Sequence, residues 1–157
     1  MPDKKTYKLM VVEDDDIDFM SIERELSKLI EPQIVRYKNA EDAISNIESA
    51  SSFDCIILDY ILPGENGLEI VRSIRKHDLI TPIVMFTGKG NEKIAVSAMK
   101  LGLTDYIVKD NMTDSMESVI DIIEIGQVVD HKVQEIEDKL EKLNDKFEHL
   151  KQDHDSD

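Results

Sequence analysis

The chain is poor in residues that mark several protein classes. Its 157 residues include one cysteine, no tryptophan and four prolines, and 19 basic residues face 34 acidic ones. One cysteine cannot build an internal disulfide framework, so we expect a reducing cytoplasmic environment. The net charge of −15 disfavours binding to nucleic-acid phosphates or anionic lipid.

Long apolar segments are missing as well. No stretch approaches the roughly 18 consecutive apolar residues of a membrane-spanning helix. The first residues, Met1-Pro2-Asp3-Lys4-Lys5, lack the apolar core of a secretory signal. Hydrophobic residues still make up 41% of the chain, enough for a buried core. We therefore expect a cytoplasmic protein that binds neither membranes nor nucleic acid.

Strand and helix patterns alternate along most of the chain. Apolar runs typical of buried strands lie at residues 7–12, 33–37, 53–59, 82–87 and 105–109. Helical spacing of apolar residues follows each run, at residues 17–30, 40–49, 67–76, 92–101 and from 113 onward. Asp15 or Asp16 can cap the first helix, and Gly102 can end the fourth. The alternation predicts an α/β fold with a doubly wound, five-stranded parallel sheet.

Polar side chains follow four of these strands at the point where each ends. They are Glu13 with Asp14, then Asp59, Thr87 and Lys109. Ligands of such sheets bind beyond the carboxyl ends of the strands. Two buried strands that end in carboxylates therefore indicate a metal or phosphoryl site at this edge.

Five motifs in a fixed order resemble those of one family. They are Val11-Val12-Glu13-Asp14-Asp15, Leu58-Asp59 with Leu62-Pro63-Gly64 and Gly67, Phe86-Thr87-Gly88, Gly102-Leu103-Thr104-Asp105-Tyr106, and Val108-Lys109. On these residues the chain resembles the receiver domain of bacterial-type two-component response regulators, of the chemotaxis-regulator kind. The resemblance covers about residues 6–128 and implies a flavodoxin-like strand order 2-1-3-4-5.

The resemblance also implies roles for the residues at the strand ends. Asp59 accepts a phosphoryl group from a histidine kinase or phosphotransfer protein, and Lys109 pairs with a phosphoryl oxygen. A Mg²⁺ (or Mn²⁺) ion is held by Asp14 and Asp59 directly, by the backbone carbonyl of Ile61, and by Glu13 through water. Such a domain is a phosphoacceptor, not an enzyme, apart from its own phosphorylation and slow dephosphorylation.

The implied switch involves Thr87 and Tyr106. Thr87 moves to hydrogen-bond the phosphoryl group, and Tyr106 then turns inward into the vacated space. A strand-end hydroxyl and an ordinary strand aromatic remain the alternatives for these two residues.

The chain departs from the family pattern at two places. Asp110 follows Lys109 where the family usually has proline after a cis peptide, so we expect a trans bond and a shifted loop. Ile61 and Lys89 hold the positions that flank the water attacking the phosphoaspartate. Because an apolar Ile61 cannot orient water, we expect slow self-dephosphorylation.

The last helix carries a strict heptad pattern typical of a coiled coil. Lys132 at position g would face Glu137 at position e of a parallel partner, which favours a parallel homodimer. We therefore divide the chain into a receiver domain, residues 1–128, and a helical extension, residues 129–157. The a and d positions are Val119, Ile122, Gly126, Val129, Val133, Ile136, Leu140, Leu143, Phe147 and Leu150.

Several other interpretations stay open at this point. The acidic run from Asp14 to Asp18 could be a solvated helix start. The heptad stripe could pack on the chain's own domain. A haloacid-dehalogenase-type phosphatase also combines Asp, Thr and Lys around Mg²⁺, but it needs an acid at the position of Ile61. An inactive pseudo-receiver acting as a dimerisation scaffold is the third possibility.

Overall fold

A computed structural model describes residues 3–47, 52–63, 66–88 and 92–155. The strands are β1 (Thr6–Val12), β2 (Glu31–Tyr37), β3 (Cys55–Asp59), β4 (Ile83–Thr87) and β5 (Asp105–Val108). The helices are α1 (Asp16–Leu29), α2 (Ala40–Ser45), α3 (Gly67–Arg75), α4 (Glu92–Lys100) and α5 (Met112–Asp155).

The five strands form one parallel sheet in the order β2-β1-β3-β4-β5. This confirms the predicted doubly wound α/β fold and its strand order. Strand β2 begins at Glu31, two residues earlier than predicted, so Pro32 lies within the strand and pairs in register with Tyr7. An edge strand tolerates proline because one side of its backbone makes no ladder hydrogen bonds.

Alternate residues of the central strands build two hydrophobic cores, one on each face of the sheet. In β1, Met10 and Val12 join the core under α2 and α3, which includes Ile70 and Ile74 of α3. Leu9 and Val11 point the other way, toward apolar residues of α1 and the start of α5. Because helices cover both faces of the sheet, these strands are apolar at nearly every position. Burial of each large side chain contributes about 1.5–3 kcal/mol.

Helix boundaries follow local capping chemistry. The Asp15 side chain caps α1 by accepting a hydrogen bond from the Asp18 N–H at 2.8 Å, as predicted. Gly102 follows α4 with φ of 103°, a conformation that favours glycine at a helix end. Helix α2 ends at Ser45, whereas the predicted end at residue 49 lies outside the described residues.

The chain divides into two compact units, Met1–Ile123 and Glu124–Asp157. Within the first unit, Val119 of α5 is fully buried in the core beside α1, so the first heptad position serves the domain core. The predicted boundary after residue 128 stays a prediction. In the described part of the chain, none of the helices has both the length and the apolar character that crossing a membrane requires.

Candidate functional site

The sheet brings the predicted polar residues to one edge. Glu13 follows β1, Asp59 ends β3, Thr87 ends β4 and Lys109 follows β5. Strands β4 and β5 pair Thr87 with Val108, and the Lys109 N–H donates to the Thr87 carbonyl at 2.8 Å. The parallel register therefore places residues that are far apart in sequence at adjacent strand ends.

The Lys109 ammonium lies at the centre of the site. It donates hydrogen bonds to Glu13 Oε2 at 3.1 Å, to Asp59 Oδ2 at 3.1 Å and to Asp18 Oδ2 at 3.0 Å. The Glu13 side chain is 2% exposed, that of Lys109 11% and that of Asp59 13%. Charge-assisted hydrogen bonds in such a partly desolvated place are stronger than those between neutral groups.

Burial and neighbouring charges shift two of the pKa values. Burial is the largest cause that raises the pKa of Glu13, to about 7, and repulsion from Asp59 adds to it while Lys109 opposes it. For Lys109, burial lowers the pKa, but the hydrogen bond to Asp18 and the charges of Asp59 and Glu13 outweigh it and raise the pKa. The lysine therefore stays charged and offsets part of the carboxylate repulsion.

The loop between β1 and α1 is held by Arg36 of the edge strand. The Arg36 Nε donates to the Glu13 carbonyl at 3.1 Å, and its guanidinium pairs with Asp16 at 2.8 Å. The same guanidinium lies 4.3 Å from the centroid of the Phe19 ring. The Glu13 N–H donates to the Tyr37 carbonyl at 3.0 Å. These contacts fix the backbone that presents Glu13 and Asp14.

The segment after β3 is fixed by backbone hydrogen bonds. The Tyr60 N–H donates to the Phe86 carbonyl at 3.1 Å, and the Gly67 N–H donates to the Tyr60 carbonyl at 2.8 Å. The Ile61 N–H donates to Asp59 Oδ1 at 3.1 Å, while the Ile61 side chain is 72% exposed. One Asp59 oxygen is thus oriented by the backbone and the other by Lys109.

The donor set suits a small divalent cation. Carboxylate oxygens of Glu13, Asp14 and Asp59 all lie within 4.8 Å of one another. Octahedral Mg²⁺ holds oxygens at about 2.1 Å, which separates neighbouring ligands by about 3 Å and opposite ones by about 4 Å. Glu13, Asp14 and Asp59 could therefore hold such an ion, either directly or through water.

Thr87 and Tyr106 lie on neighbouring strands. Thr87 is 4% exposed at the end of β4. Tyr106 packs against the core under α2 and α3. Its hydroxyl is buried and has no hydrogen-bond partner among the described residues. A buried hydroxyl without a partner costs free energy, which favours any rearrangement that gives the hydroxyl one.

The Lys109–Asp110 peptide bond is trans, as predicted. Lys89, the second residue predicted to tune dephosphorylation, and Gly64 of the motif after Asp59 lie outside the described residues.

Asp18 is the site residue that the sequence analysis missed. It appeared there only as part of an acidic helix start, yet its carboxylate makes the shortest of the three Lys109 contacts. The contact joins residues 91 positions apart, so it depends on how the chain packs in three dimensions. A spacing of five residues after Glu13, on the first turn of a helix, was the available signal.

Comparison with known proteins identifies the family and supports the fold. The response regulator receiver domain matches residues 9–121. This chain belongs to the response regulator receiver domain family. Over 108 residues the receiver is 37% identical to the transcriptional regulatory protein ResD of Bacillus subtilis (strain 168), covering 65% of this chain and 41% of ResD. It is 33% identical over 104 residues to SrrA of Staphylococcus aureus (strain NCTC 8325 / PS 47), with the same coverage of 65% and 41%.

Solved structures share the receiver fold. A putative response regulator from Chloroflexus aurantiacus superposes with a TM-score of 0.67 at 26% identity, covering 76% of this chain and 98% of that one. The chain spans about two fifths of the length of the curated relatives. The family supports a phosphoacceptor role in two-component signalling and not the phosphatase or scaffold alternatives.

Proposed function

We propose that Asp59 accepts a phosphoryl group from a phosphohistidine of a partner histidine kinase or phosphotransfer protein. The observation that carries the proposal is the Lys109 ammonium, 3.1 Å from both Asp59 and Glu13 at the carboxyl end of the sheet. A kinase-linked receiver needs such a cation because the incoming phosphoryl group adds negative charge beside two carboxylates.

In the transfer, an Asp59 carboxylate oxygen forms a bond to phosphorus while the phosphorus–nitrogen bond of the phosphohistidine breaks. The imidazole nitrogen leaves with the bonding electrons and takes up a proton. The Ile61 N–H orients one Asp59 oxygen, and Lys109 moves its hydrogen bond from Asp59 to a phosphoryl oxygen. The Thr87 hydroxyl donates a hydrogen bond to another phosphoryl oxygen.

Glu13, Asp14 and Asp59, with the backbone carbonyl of Ile61, would hold Mg²⁺ or Mn²⁺. When bound, the ion offsets charge that develops on the phosphoryl oxygens. The mutual proximity of the three carboxylates supports this assignment.

Phosphorylation then acts on Thr87 and Tyr106. The movement of Thr87 toward the phosphoryl group opens space beside β5, and Tyr106 moves into it. The buried hydroxyl of Tyr106, unpartnered within the described residues, supports a second, more favourable position for this ring.

The signal is expected to persist. Ile61 offers no polar group to orient an attacking water, and it is 72% exposed beside Asp59. Lys89 would flank the same water from the loop after β4. Loss of the phosphoryl group by hydrolysis is therefore slow.

The second unit would carry the output through a parallel coiled-coil homodimer. Seven successive a and d side chains are 37–69% exposed in the single chain. Pairing with a second helix would remove this apolar surface from water. Lys132 pairs with Glu135 of its own helix at 3.3 Å, and a parallel partner would offer it Glu137 as well. These seam residues are Val129, Val133, Ile136, Leu140, Leu143, Phe147 and Leu150.

The test of the phosphoacceptor role is intact mass spectrometry after incubation with Mg²⁺ and acetyl phosphate. We expect one phosphoryl adduct that persists after donor removal and is absent from Asp59→Asn. Continuous release of inorganic phosphate without an adduct would instead indicate a phosphatase. No adduct and no release would indicate an inactive receiver.

A further inference from the structure

The Lys109 ammonium uses all of its hydrogen-bonding capacity in this structure. An ammonium has three N–H donors, and the three acceptors are carboxylates of Glu13, Asp18 and Asp59. Any new acceptor beside Asp59 must therefore replace one of the three present partners.

Two of these three carboxylates have a second proposed role at the site. Glu13 and Asp59 belong to the group of carboxylates that can converge on a cation, and Asp59 is the proposed phosphoacceptor. Asp18 does not belong to that group among the described residues. Asp18 is therefore the partner that can keep its bond to Lys109 before and after transfer.

Asp18 is also well placed to hold Lys109 still. It lies in the first turn of α1, where the Asp15 side chain fixes its backbone N–H at 2.8 Å. Its side chain is 43% exposed, whereas that of Lys109 is 11% exposed. A helix-borne carboxylate thus reaches from the rim of the site to a largely buried lysine.

We propose that Asp18 is a positioning residue that holds the Lys109 ammonium beside Asp59 throughout phosphoryl transfer. The proposal rests on the proposed role of Asp59. A lysine ammonium on a flexible stem loses rotamer freedom when it is fixed. Because Asp18 fixes it in advance, that cost does not fall on the transfer step. The opposite effect, competition between Asp18 and the phosphoryl group for Lys109, would make Asp18 an inhibitor.

The test measures the rate of adduct formation with acetyl phosphate and Mg²⁺. We expect Asp18→Ala to be about fivefold slower than the unmodified protein, because a partly exposed charge-assisted hydrogen bond is lost. Asp18→Asn keeps an oxygen that can accept from Lys109 and should recover most of the rate. Glu23→Ala is the control, since it removes the same charge from an exposed position of the same helix.

A double-mutant cycle with Lys109→Met shows whether the effect passes through the lysine. We expect Asp18→Ala to have no further effect in that background. An Asp18→Ala protein that is as fast as the unmodified one, or faster, would overturn the proposal. An equal loss with and without Lys109 would also overturn it.

A second measurement does not depend on phosphorylation. The hydrogen-bonded Lys109 ammonium should exchange its protons slowly enough for detection by ¹⁵N NMR in the untreated protein. We expect Asp18→Ala to weaken that signal and Glu23→Ala to keep it. If Asp59 takes no phosphoryl group but the signal still depends on Asp18, the phosphoacceptor role fails while the positioning contact stands. A signal that is unchanged in Asp18→Ala overturns the positioning role itself.

Discussion

At the level of single residues, each polar side chain of the site makes more than one hydrogen bond. Asp59 has one oxygen oriented by the Ile61 N–H and the other by Lys109. Glu13 accepts from Lys109 and from the Asp15 N–H at 3.1 Å. Each group is already paired before a ligand arrives, so transfer requires exchange of partners and not the pairing of free groups.

Ile61 sets the expected lifetime of the phosphoryl group. We predict that Ile61→Asn speeds loss of the adduct by roughly tenfold, because an amide can orient the attacking water. The decay of the adduct after donor removal, followed by intact mass, measures this. Leu79→Asn is the matched control, since Leu79 is 81% exposed and lies in the loop before β4. An unchanged decay in Ile61→Asn would contradict the explanation.

Gly67 keeps the backbone close behind Asp59. A Cβ at this position would lie 2.6 Å from the Asp59 carbonyl oxygen and 2.8 Å from Leu58 Cδ1. We predict that Gly67→Ala lowers the free energy of unfolding by about 1–3 kcal/mol, as overpacking does in cores. Urea denaturation measures the change.

Gly88→Ala provides the comparison for Gly67. A Cβ at Gly88 meets no heavy atom of the described chain within 4 Å. Its midpoint of denaturation should therefore stay near that of the unmodified protein. Equal shifts in the two variants would show that close contact with Asp59 is not the cause.

The sequence predicts some of these residue roles and not others. Asp59 and Thr87 each end a strand and Lys109 directly follows one, and neighbouring parallel strands end at the same edge of the sheet. The bond between Asp18 and Lys109 depends on how α1 turns relative to β5. That orientation comes from packing in three dimensions, so local sequence carries little information about it.

At the scale of elements, strands were easier to predict than helix faces. Strand positions follow from continuous apolar runs with turn residues on either side. Helical spacing in α1 is less informative, because Ile17 is 75% exposed while Ile22 and Leu26 are buried. An apolar residue at helical spacing is not necessarily buried, since folded proteins expose much apolar surface.

The turn that leads into β4 depends on Asp78. Burial by itself raises the pKa of Asp78, but hydrogen bonds from Thr81 and from the Ile80 N–H outweigh it, and the folded pKa lies below 3.8. Ionised Asp78 therefore stabilises the folded state fully above pH 3.8, and this stabilisation is lost as the pH falls through the lower pKa of the folded state. One of these hydrogen bonds is donated by the Thr81 hydroxyl to the Asp78 carboxylate.

We predict that Asp78→Asn lowers the free energy of unfolding by about 1 kcal/mol at pH 7, a figure reduced for partial solvent screening. The difference from the unmodified protein should vanish in acid. Thermal unfolding across a pH series measures it, and Asp121→Asn on the exposed surface of α5 is the control. A difference that persists in acid would mean that the charge of Asp78 is not the cause.

One heptad pattern in helix α5 covers both buried and exposed positions. Val119 is buried in the domain core, whereas Leu140 is 59% exposed. Both fit the same a position. We predict that Leu140→Glu converts a dimer to a monomer in sedimentation analysis, because a charge enters the seam.

Two controls sharpen the test of the coiled coil. Val128→Glu makes the same change at an exposed position off the seam and should leave the dimer intact. Leu150→Cys should form an intermolecular disulfide only if the helices run parallel and in register. Monomeric unmodified protein would contradict the dimer, and a dimer without this disulfide would contradict the parallel arrangement.

At the scale of the whole molecule, an acidic chain collects carboxylates around one lysine. The net charge is −15, and the proposed transfer would add a phosphoryl group where three carboxylates already converge. Lys109 alone cannot offset that charge, which is why a divalent cation belongs in the account. We therefore expect phosphorylation to require the metal.

Chemical trapping locates the phosphoryl group that we propose for Asp59. Borohydride converts an aspartyl phosphate to homoserine, which peptide mapping by mass spectrometry locates. After incubation with acetyl phosphate and Mg²⁺, we predict homoserine at position 59, and none when either reagent is omitted. Homoserine at another acidic residue, or none at position 59 in protein that carries the adduct, would contradict the account.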